Sequence, residues 1–191
     1  MSGKPRYVLD ACVLYPVVVR DLLLTAAALD LFEPIWSDTI IDEMRRNILA
    51  DRPDVEPESI DRMIAAMSRT FPQAGTSGHE PLIDTMDNDP KDRHVAAAAV
   101  HRKAAAIVTY NLRDFRGSAL AAGGIEVITP PNLLERWLDD DSVLGHRVIE
   151  AMAKRKVRPP MNAKEVAGRI GQQQGFAAIA DRLTRYLLER T

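Results

Sequence analysis

The stretch Tyr7-Val8-Leu9-Asp10 places a carboxylate directly after a short apolar run. Such a run is typical of a buried strand, and we predict one over residues 6–10. A carboxylate just past the carboxyl end of a parallel strand lies where open α/β sheets bind their ligands. The stretch therefore makes Asp10 a candidate site residue, although an Asp here could also cap the helix that follows.

Acidic residues recur in three further segments, each at the predicted end of an element or in a loop. The segments are residues 37–43, 87–92 and 109–115. If they converge with Asp10, like-charge repulsion raises some of their pKa values, and a bound divalent ion reverses that effect. Mg²⁺ and Mn²⁺ take oxygen ligands from a few carboxylates and can orient and activate a phosphodiester. The pattern predicts a divalent metal and phosphate chemistry.

Strands alternate with helical patterns along most of the chain, which predicts a parallel sheet with helices on its faces. The predicted strands lie at residues 6–10, 35–36, 105–109 and 125–129, with a short one at 81–83 inside a loop. The predicted helices lie at residues 17–32, 38–50 behind a Ser37 cap, 57–71, 92–103 and 131–139. Three more helices are predicted at residues 142–154, 163–170 and 175–190. We therefore divide the chain into an α/β domain, residues 1–130, and a helical C-terminal extension, residues 131–191.

Composition is ordinary for a globular protein, with 46% hydrophobic and 27% charged residues among 191. Cys12 is the only cysteine, so no intramolecular disulfide can form, which fits a reducing cytoplasm. No apolar run approaches the roughly 20 residues that span a bilayer, and the start of the chain lacks a signal-peptide core. We expect a cytoplasmic protein without a membrane segment.

The net charge of −2 hides an asymmetry between the two parts of the chain. Residues 142–191 carry 10 Lys and Arg against 4 Asp and Glu, so the rest of the chain is strongly acidic. This asymmetry is compatible with a metal site within residues 1–141 and an anionic partner near the tail, residues 142–191. It fits equally a tail that presents an ordinary solvated helical surface.

Each further acidic candidate has a simpler interpretation beside the metal one. Glu43 could be a solvent-facing helix charge, Asp92 a helix cap, and Asp114 a turn residue. Thr109 and Asn111, at a strand end, are candidates for positioning a water or a ligand. Asp87 and Asp89 are better explained as loop residues. The four histidines lie in no zinc-binding pattern, and the phosphate-binding glycine loops are absent from the sequence.

The order of these motifs resembles that of the PIN-domain ribonucleases, and among them the VapC-type toxins of bacterial toxin–antitoxin pairs. The motifs are Val8-Leu9-Asp10, Ser37 with Glu43, Asp92-Arg93-His94-Val95-Ala96-Ala97-Ala98, and Val108-Thr109-Tyr110-Asn111-Leu112-Arg113-Asp114-Phe115, within residues 6–130. The resemblance implies a three-layer α/β/α sandwich around a central parallel sheet. It implies Mg²⁺- or Mn²⁺-dependent endonucleolytic cleavage of RNA, with Asp10, Glu43, Asp92 and Asp114 as the metal-binding and catalytic set. Whether Asn111 or Asp114 serves the metal stays open.

The resemblance also implies partners: RNA as substrate, a second copy in a homodimer, and a cognate antitoxin that holds the enzyme inactive. Such antitoxins often insert a basic side chain into the acidic pocket. Four cations flank the acidic motifs and could contact RNA phosphates, or serve only as surface charges; they are Lys91, Arg93, Arg113 and Arg116.

Two other functions are compatible with the sequence. A catalytically degenerate PIN-fold module that binds RNA or protein is one, because Asn111 could mark the loss of a ligand. A phosphatase of the doubly wound class is the other, but it needs a second Asp two residues after Asp10, where Cys12 stands.

Overall fold

Five short strands form one parallel sheet in the computed structural model, which describes residues 3–140, 142–156 and 159–189. The strands are β1 (Arg6–Leu9), β2 (Glu33–Ser37), β3 (Gly75–Thr76), β4 (Ala106–Val108) and β5 (Glu126–Ile128). Their order across the sheet is β3-β2-β1-β4-β5, and every neighbouring pair is parallel. The strand order therefore reverses between β1 and β4, the point at which open α/β sheets place their ligands.

Ten α-helices accompany the sheet in the described residues. They are α1 (Ala11–Leu14), α2 (Val17–Ala28), α3 (Asp38–Asp51), α4 (Pro57–Thr70), α5 (Arg93–His101), α6 (Ser118–Ala122), α7 (Pro130–Asp140), α8 (Ser142–Arg155), α9 (Ala163–Gly171) and α10 (Ala177–Glu189). The prediction of an α/β fold with a central parallel sheet flanked by helices is confirmed. Within the same residues, none of the helices combines the length and apolarity that crossing a bilayer requires.

Helix α5 packs directly on the sheet, in contact with β1, β2 and β4. Its residues Val95 to Ala99 are completely buried, and four of the five are alanines. Such small side chains let a helix approach strands closely, and alanine also has the highest helix propensity. The close packing brings Asp92, which immediately precedes α5, toward the carboxyl end of β1.

The described chain forms two compact units. The first holds the sheet with α1 and α3 to α6, and the second holds α2 with α7 to α10. In the second unit α2 contacts α8 and α9, and Asp21 of α2 pairs with Arg155 and Lys156, each at 2.6 Å. A helix near the start of the chain thus packs with the C-terminal helices, while the domain division at residue 130 stays a prediction.

Two local predictions differ from the structure. The strand predicted at residues 81–83 is wrong, because Glu80–Thr85 forms a 3₁₀ helix with Pro81 in its first turn, where a fixed φ is tolerated. Helix α2 ends at Ala28 rather than at residue 32, because Asp30 adopts a positive φ of 67°. The chain then turns so that Phe32 stacks on Tyr7 of β1, with ring centroids 4.9 Å apart.

Ser37 caps α3 as predicted, and its loss is expected to cost stability. Its hydroxyl oxygen accepts a hydrogen bond of 3.3 Å from the backbone N–H of Ile40. The substitution Ser37→Ala should lower the free energy of unfolding by about 1 kcal/mol, because it leaves this buried donor unsatisfied. Urea denaturation of both proteins measures the difference.

Ser68→Ala is the matched control, because Ser68 is exposed inside α4. It should leave the stability unchanged or raise it slightly, since alanine favours helix. An equal loss of stability in both variants would contradict the cap's contribution.

Candidate functional site

Asp10 lies at the carboxyl end of β1 with a side chain only 2% exposed. Its backbone N–H donates to the carbonyl of Val108 in β4, at 3.1 Å. Although Asp10 directly precedes α1, its carboxylate makes no capping hydrogen bond there. It accepts instead from the Thr109 hydroxyl at 2.6 Å and from the Cys12 thiol at 3.2 Å, both on Oδ2. The alternative role of Asp10 as a helix cap is therefore not what the structure shows.

Thr109 and Cys12 tie the ends of β1 and β4 together around that carboxylate. Thr109 is fully buried, and its oxygen accepts from the backbone N–H of Asn111 at 3.0 Å. The Cys12 sulfur lies 3.3 Å from the Thr109 oxygen and accepts from the backbone N–H of Tyr110, also at 3.3 Å. Burial, and then the charge of Asp10, raise the pKa of Cys12 to about 12. The group at position 12 is thus a protonated thiol near neutral pH.

Asp92 is a buried carboxylate with an unmet hydrogen-bonding requirement. It is 6% exposed and stands at the start of α5 without capping it. Its Oδ2 atom is buried and has no hydrogen-bond partner within the described part of the chain. Burial and then the charge of Asp10 raise the pKa of Asp92 to about 6, with a smaller contribution from Asp114. The helix-cap interpretation does not account for this residue either.

Glu43 projects from the second turn of α3 toward the same carboxylates. Burial and then Asp10 raise its pKa, while Arg46 and Lys91 act in the opposite direction. The His94 Nε2 atom lies 3.8 Å from the Glu43 Oε2 atom, too far for a hydrogen bond. Burial lowers the pKa of His94, so the imidazole is neutral near pH 7.

Asp114 lies in a 3₁₀ helix, Leu112–Phe115. Its Oδ2 atom is 3.5 Å from the Lys91 ammonium nitrogen, and its backbone carbonyl accepts from the N–H of Asp89 at 3.0 Å. Asn111 is exposed and precedes this 3₁₀ helix without capping it. The charge of Asp114 contributes to the raised pKa of Asp92. The hydrogen bonds described for Asn111 are made by its backbone N–H and carbonyl. Which of the two serves a metal stays a prediction.

An open cleft of about 520 Å³ lies beside these carboxylates. Its lining is Thr39, Glu43, Arg46, Asn47, Ala50, Lys91, Asp92 and His94. The sequence analysis identified three of these as site residues, Glu43, Lys91 and Asp92, and did not identify the other five. The helical spacing of residues 39, 43, 46, 47 and 50 on α3 was the signal that could have found the rest, because residues three and four apart share a helix face.

The other predicted cations lie outside that lining. Arg93 turns its Nε atom toward the Asn88 carbonyl at 3.4 Å, and Arg113 and Arg116 are exposed near Asp114. Their contact with RNA stays a prediction.

Asp87 and Asp89 lie in a loop, as the sequence favoured, and their carboxylates accept hydrogen bonds from Ser118 and Lys91. The Asp87 carboxylate accepts from the hydroxyl and N–H of Ser118, at 2.6 and 2.7 Å, at the start of α6. These bonds, the hydroxyl first, lower the pKa of Asp87 to about 2. Gly117 makes the approach possible, since a Cβ at that position would collide with the carboxylate. Asp89 accepts from the N–H of Lys91 at 3.1 Å.

The donor set suits a hard divalent cation. After burial, the charge of Asp10 is the next cause that raises the pKa of Glu43 and of Asp92, so Asp10 lies close enough to repel each of them. Mg²⁺ and Mn²⁺ prefer such oxygen ligands, and the unpartnered Oδ2 of Asp92 offers one. Within the described residues, no three His, Cys, Asp or Glu side chains are already arranged to hold an ion. The residues fit a metal by their chemistry, and their side chains would have to draw together around it.

Comparison with known proteins identifies the family of this chain. The family model described as "PIN domain" matches residues 6–113, which include Asp10, Glu43 and Asp92. A curated relative from Mycobacterium tuberculosis, named "Putative ribonuclease VapC50", is 38% identical over 107 residues. That match covers 56% of this chain and 63% of the relative, so the chain spans less than two thirds of the relative's length. No solved structure matches the chain significantly. The PIN-domain match extends over more than half of the chain, which therefore belongs to the PIN-domain family.

Proposed function

We propose that this protein is a Mg²⁺- or Mn²⁺-dependent endoribonuclease and the toxin of a toxin–antitoxin pair. The observation that carries the proposal is the buried Oδ2 atom of Asp92, which has no hydrogen-bond partner among the described residues. Burial and then the charge of Asp10 raise the pKa of Asp92 and of Glu43, which supports a site shared by the three carboxylates. The relative's name, "Putative ribonuclease VapC50", supports the same reaction.

Asp10, Glu43, Asp92 and Asp114 are the residues that would hold the ion, with Asn111 as the alternative to Asp114. A bound divalent ion would polarise the phosphodiester, activate a water molecule and stabilise the charge on the leaving oxygen. The protein's own residues prepare the site for it. The Thr109 hydroxyl and the Cys12 thiol both hold Oδ2 of Asp10, which fixes the orientation of that carboxylate.

Several side chains around the carboxylates handle the substrate in this proposal. Lys91, which pairs with Asp114, lines the cleft and is positioned to meet a phosphate that enters it. Thr109 and Asn111 position a water or a ligand at the end of β4. Arg93, Arg113 and Arg116 contribute longer-range attraction for a polyanion.

The proposal includes a cognate antitoxin, a homodimer and a cytoplasmic location. An antitoxin that presents a basic side chain would find strong attraction among the clustered carboxylates, because their repulsion is unrelieved without a cation. Size-exclusion chromatography with light scattering tests the homodimer, since a monomeric mass would remove that part of the proposal.

Replacement of the clustered carboxylates is expected to abolish RNA cleavage. Asp10→Asn and Asp92→Asn should each lower the rate by roughly 100-fold or more, because each removes a charge that holds the ion against the substrate. The measurement follows a labelled RNA with Mg²⁺ or Mn²⁺, with and without a chelator.

Asp84→Asn is the control, because Asp84 is exposed on a neighbouring 3₁₀ helix outside the cluster. Its activity should equal that of the wild type. Activity that survives the chelator or Asp10→Asn contradicts the proposal. Complete inactivity of a folded wild type that still binds RNA favours the catalytically degenerate binding module instead.

The raised pKa of Asp92 predicts how metal-free protein responds to pH. The pKa rises from 3.8 to about 6 on folding, so folding favours the protonated form. The contribution of the Asp92 carboxyl to the free energy of unfolding is therefore fully present below about pH 3.8, and it is lost as the pH rises through about 6. Added Mn²⁺ should raise the melting temperature more at pH 7 than at pH 5, since the ion binds the ionised carboxylate.

Asp92→Asn should remove most of this pH dependence of the Mn²⁺ effect. Differential scanning calorimetry of the wild type and of Asp92→Asn, at pH 5 and pH 7 with and without Mn²⁺, measures the change in melting temperature. An equal Mn²⁺ shift at pH 5 and pH 7 in the wild type would contradict a role for the Asp92 carboxyl in holding the ion.

A further inference from the structure

A short loop, residues 87–89, connects two of the segments that carry carboxylates. The backbone N–H of Asp89 donates to the carbonyl of Asp114 at 3.0 Å. Asp89 also directly precedes the 3₁₀ helix Pro90–Asp92, which ends at the buried carboxylate of Asp92. The hydrogen bond therefore fastens the segment of Asp114 to the stretch of chain that leads into Asp92. We call residues 87–89 the 87–89 loop.

The side chain of Asn88 adds a second donor to the same contact. Its amide nitrogen, Nδ2, lies 3.3 Å from the carbonyl oxygen of Asp114 and 3.4 Å from that of Asp89. The Asp114 carbonyl thus accepts from the Asp89 N–H and from the Asn88 amide, which occupies both of its lone pairs. The orientation of the amide follows from these partners, because an amide oxygen in the place of Nδ2 would face two carbonyl oxygens.

Stability alone does not account for an asparagine at position 88. The residue is only 5% exposed, and its side-chain oxygen, Oδ1, is buried without a hydrogen-bond partner among the described residues. A buried acceptor in this condition lowers the free energy of unfolding. Both hydrogen bonds of Nδ2 are long, so they offset only part of that loss. A buried polar side chain whose bonding is incomplete is a candidate for a role in function rather than in stability.

Two contacts hold the 87–89 loop in place without the Asn88 side chain. The Asp87 carboxylate accepts from the N–H and the hydroxyl of Ser118 at the start of α6. The Nε atom of Arg93, the first residue of α5, lies 3.4 Å from the backbone carbonyl of Asn88. The loop is therefore supported from two helices. Replacement of the Asn88 side chain removes the amide contact with Asp114 and leaves these supports intact.

We propose that Asn88 is a positioning residue of the metal site, whose amide holds the backbone of Asp114 so that the Asp114 carboxylate stays beside Asp92. The inference rests on the proposed metal-dependent function and adds to it a residue that acts through a proposed ligand. The charge of Asp114 contributes to the raised pKa of Asp92, so the two carboxylates interact across this contact. Partners that orient the ligands of a metal influence its affinity almost as strongly as the ligands themselves.

Isothermal titration calorimetry with Mn²⁺ tests the positioning role independently of RNA cleavage. Asn88→Ala removes the donor and should weaken Mn²⁺ binding about tenfold or more, the usual effect of losing a partner that orients a metal ligand. Asn88→Asp keeps the shape of the side chain but also removes the donor, because an ionised carboxylate only accepts hydrogen bonds. It should likewise weaken Mn²⁺ binding, although its added negative charge alone would strengthen the attraction for a cation.

Asn162→Ala is the matched control for a general loss of stability. Asn162 caps α9 in the second unit, where its side-chain oxygen accepts from the N–H of Glu165 at 2.9 Å. Its replacement should lower the melting temperature and leave the Mn²⁺ affinity unchanged. The Asn88 variants should show the opposite pattern, with melting temperatures of the metal-free proteins near that of the wild type and a reduced Mn²⁺ affinity.

RNA cleavage over a range of Mn²⁺ concentrations gives a second signature. Asn88→Ala should need about tenfold more Mn²⁺ for half-maximal activity and should approach the wild-type rate at saturating Mn²⁺, because the ligands themselves are retained. Asn88→Ser also lacks the amide and changes the polarity of the site least. It provides the same measurements if the other two variants fail to fold.

Two results would overturn the positioning role of Asn88. One is tighter Mn²⁺ binding by Asn88→Asp, which would show that only the charge at position 88 matters. The other is wild-type Mn²⁺ affinity in a folded Asn88→Ala or Asn88→Ser. Either result, in a protein whose wild type binds Mn²⁺ and cleaves RNA, defeats this inference alone. A folded wild type that binds no Mn²⁺ defeats the proposed metal site as well.

Discussion

A buried negative charge at the end of the central strand governs the arrangement of this protein. Asp10 is almost fully covered, and a carboxylate in that position is costly unless it is hydrogen-bonded. Hydrogen bonds from the Thr109 hydroxyl and the Cys12 thiol to Oδ2 of Asp10 offset part of that cost. The protein nevertheless places Glu43 and Asp92 close enough to Asp10 to raise their pKa values. This clustering of carboxylates around Asp10 supports the proposed cation site.

The sequence predicted the strand before Asp10 and the alanine-rich helix after Asp92, because burial and helix propensity are local properties of those residues. It favoured a loop position for Asp87, but it could not predict which residues Asp87 and Asp92 contact. Asp87 and Asp92 belong to one acidic segment, yet one caps α6 and the other faces Asp10. Contacts with residues far along the chain decide that difference. The packing of α2 with the C-terminal helices escaped prediction for the same reason, since its partners lie more than a hundred residues away.

Helix α3 shows how one element serves two purposes through its two sides. Arg45 faces α4 and its partner Asp61, whereas Arg46, one residue later, faces the cleft. The sequence presents the two arginines as equivalent, because nothing in their types separates them. A rotation of about 100° per residue along the helix separates them in space. The role of a charged residue on such a helix can therefore be assigned only when the elements that pack around the helix are known.

The bond between Asp10 and Thr109 joins residues 99 positions apart. The carbonyl of Val108 also receives the Asp10 backbone N–H, so the surroundings of Asp10 are complete only when β4 lies beside β1. During synthesis the first carboxylate emerges long before its supporting hydroxyl. An incomplete chain on the ribosome has the acidic residue without the scaffold that orients it. For a protein proposed to cut RNA, this order of assembly delays the formation of the site until most of the sheet-containing unit has been made.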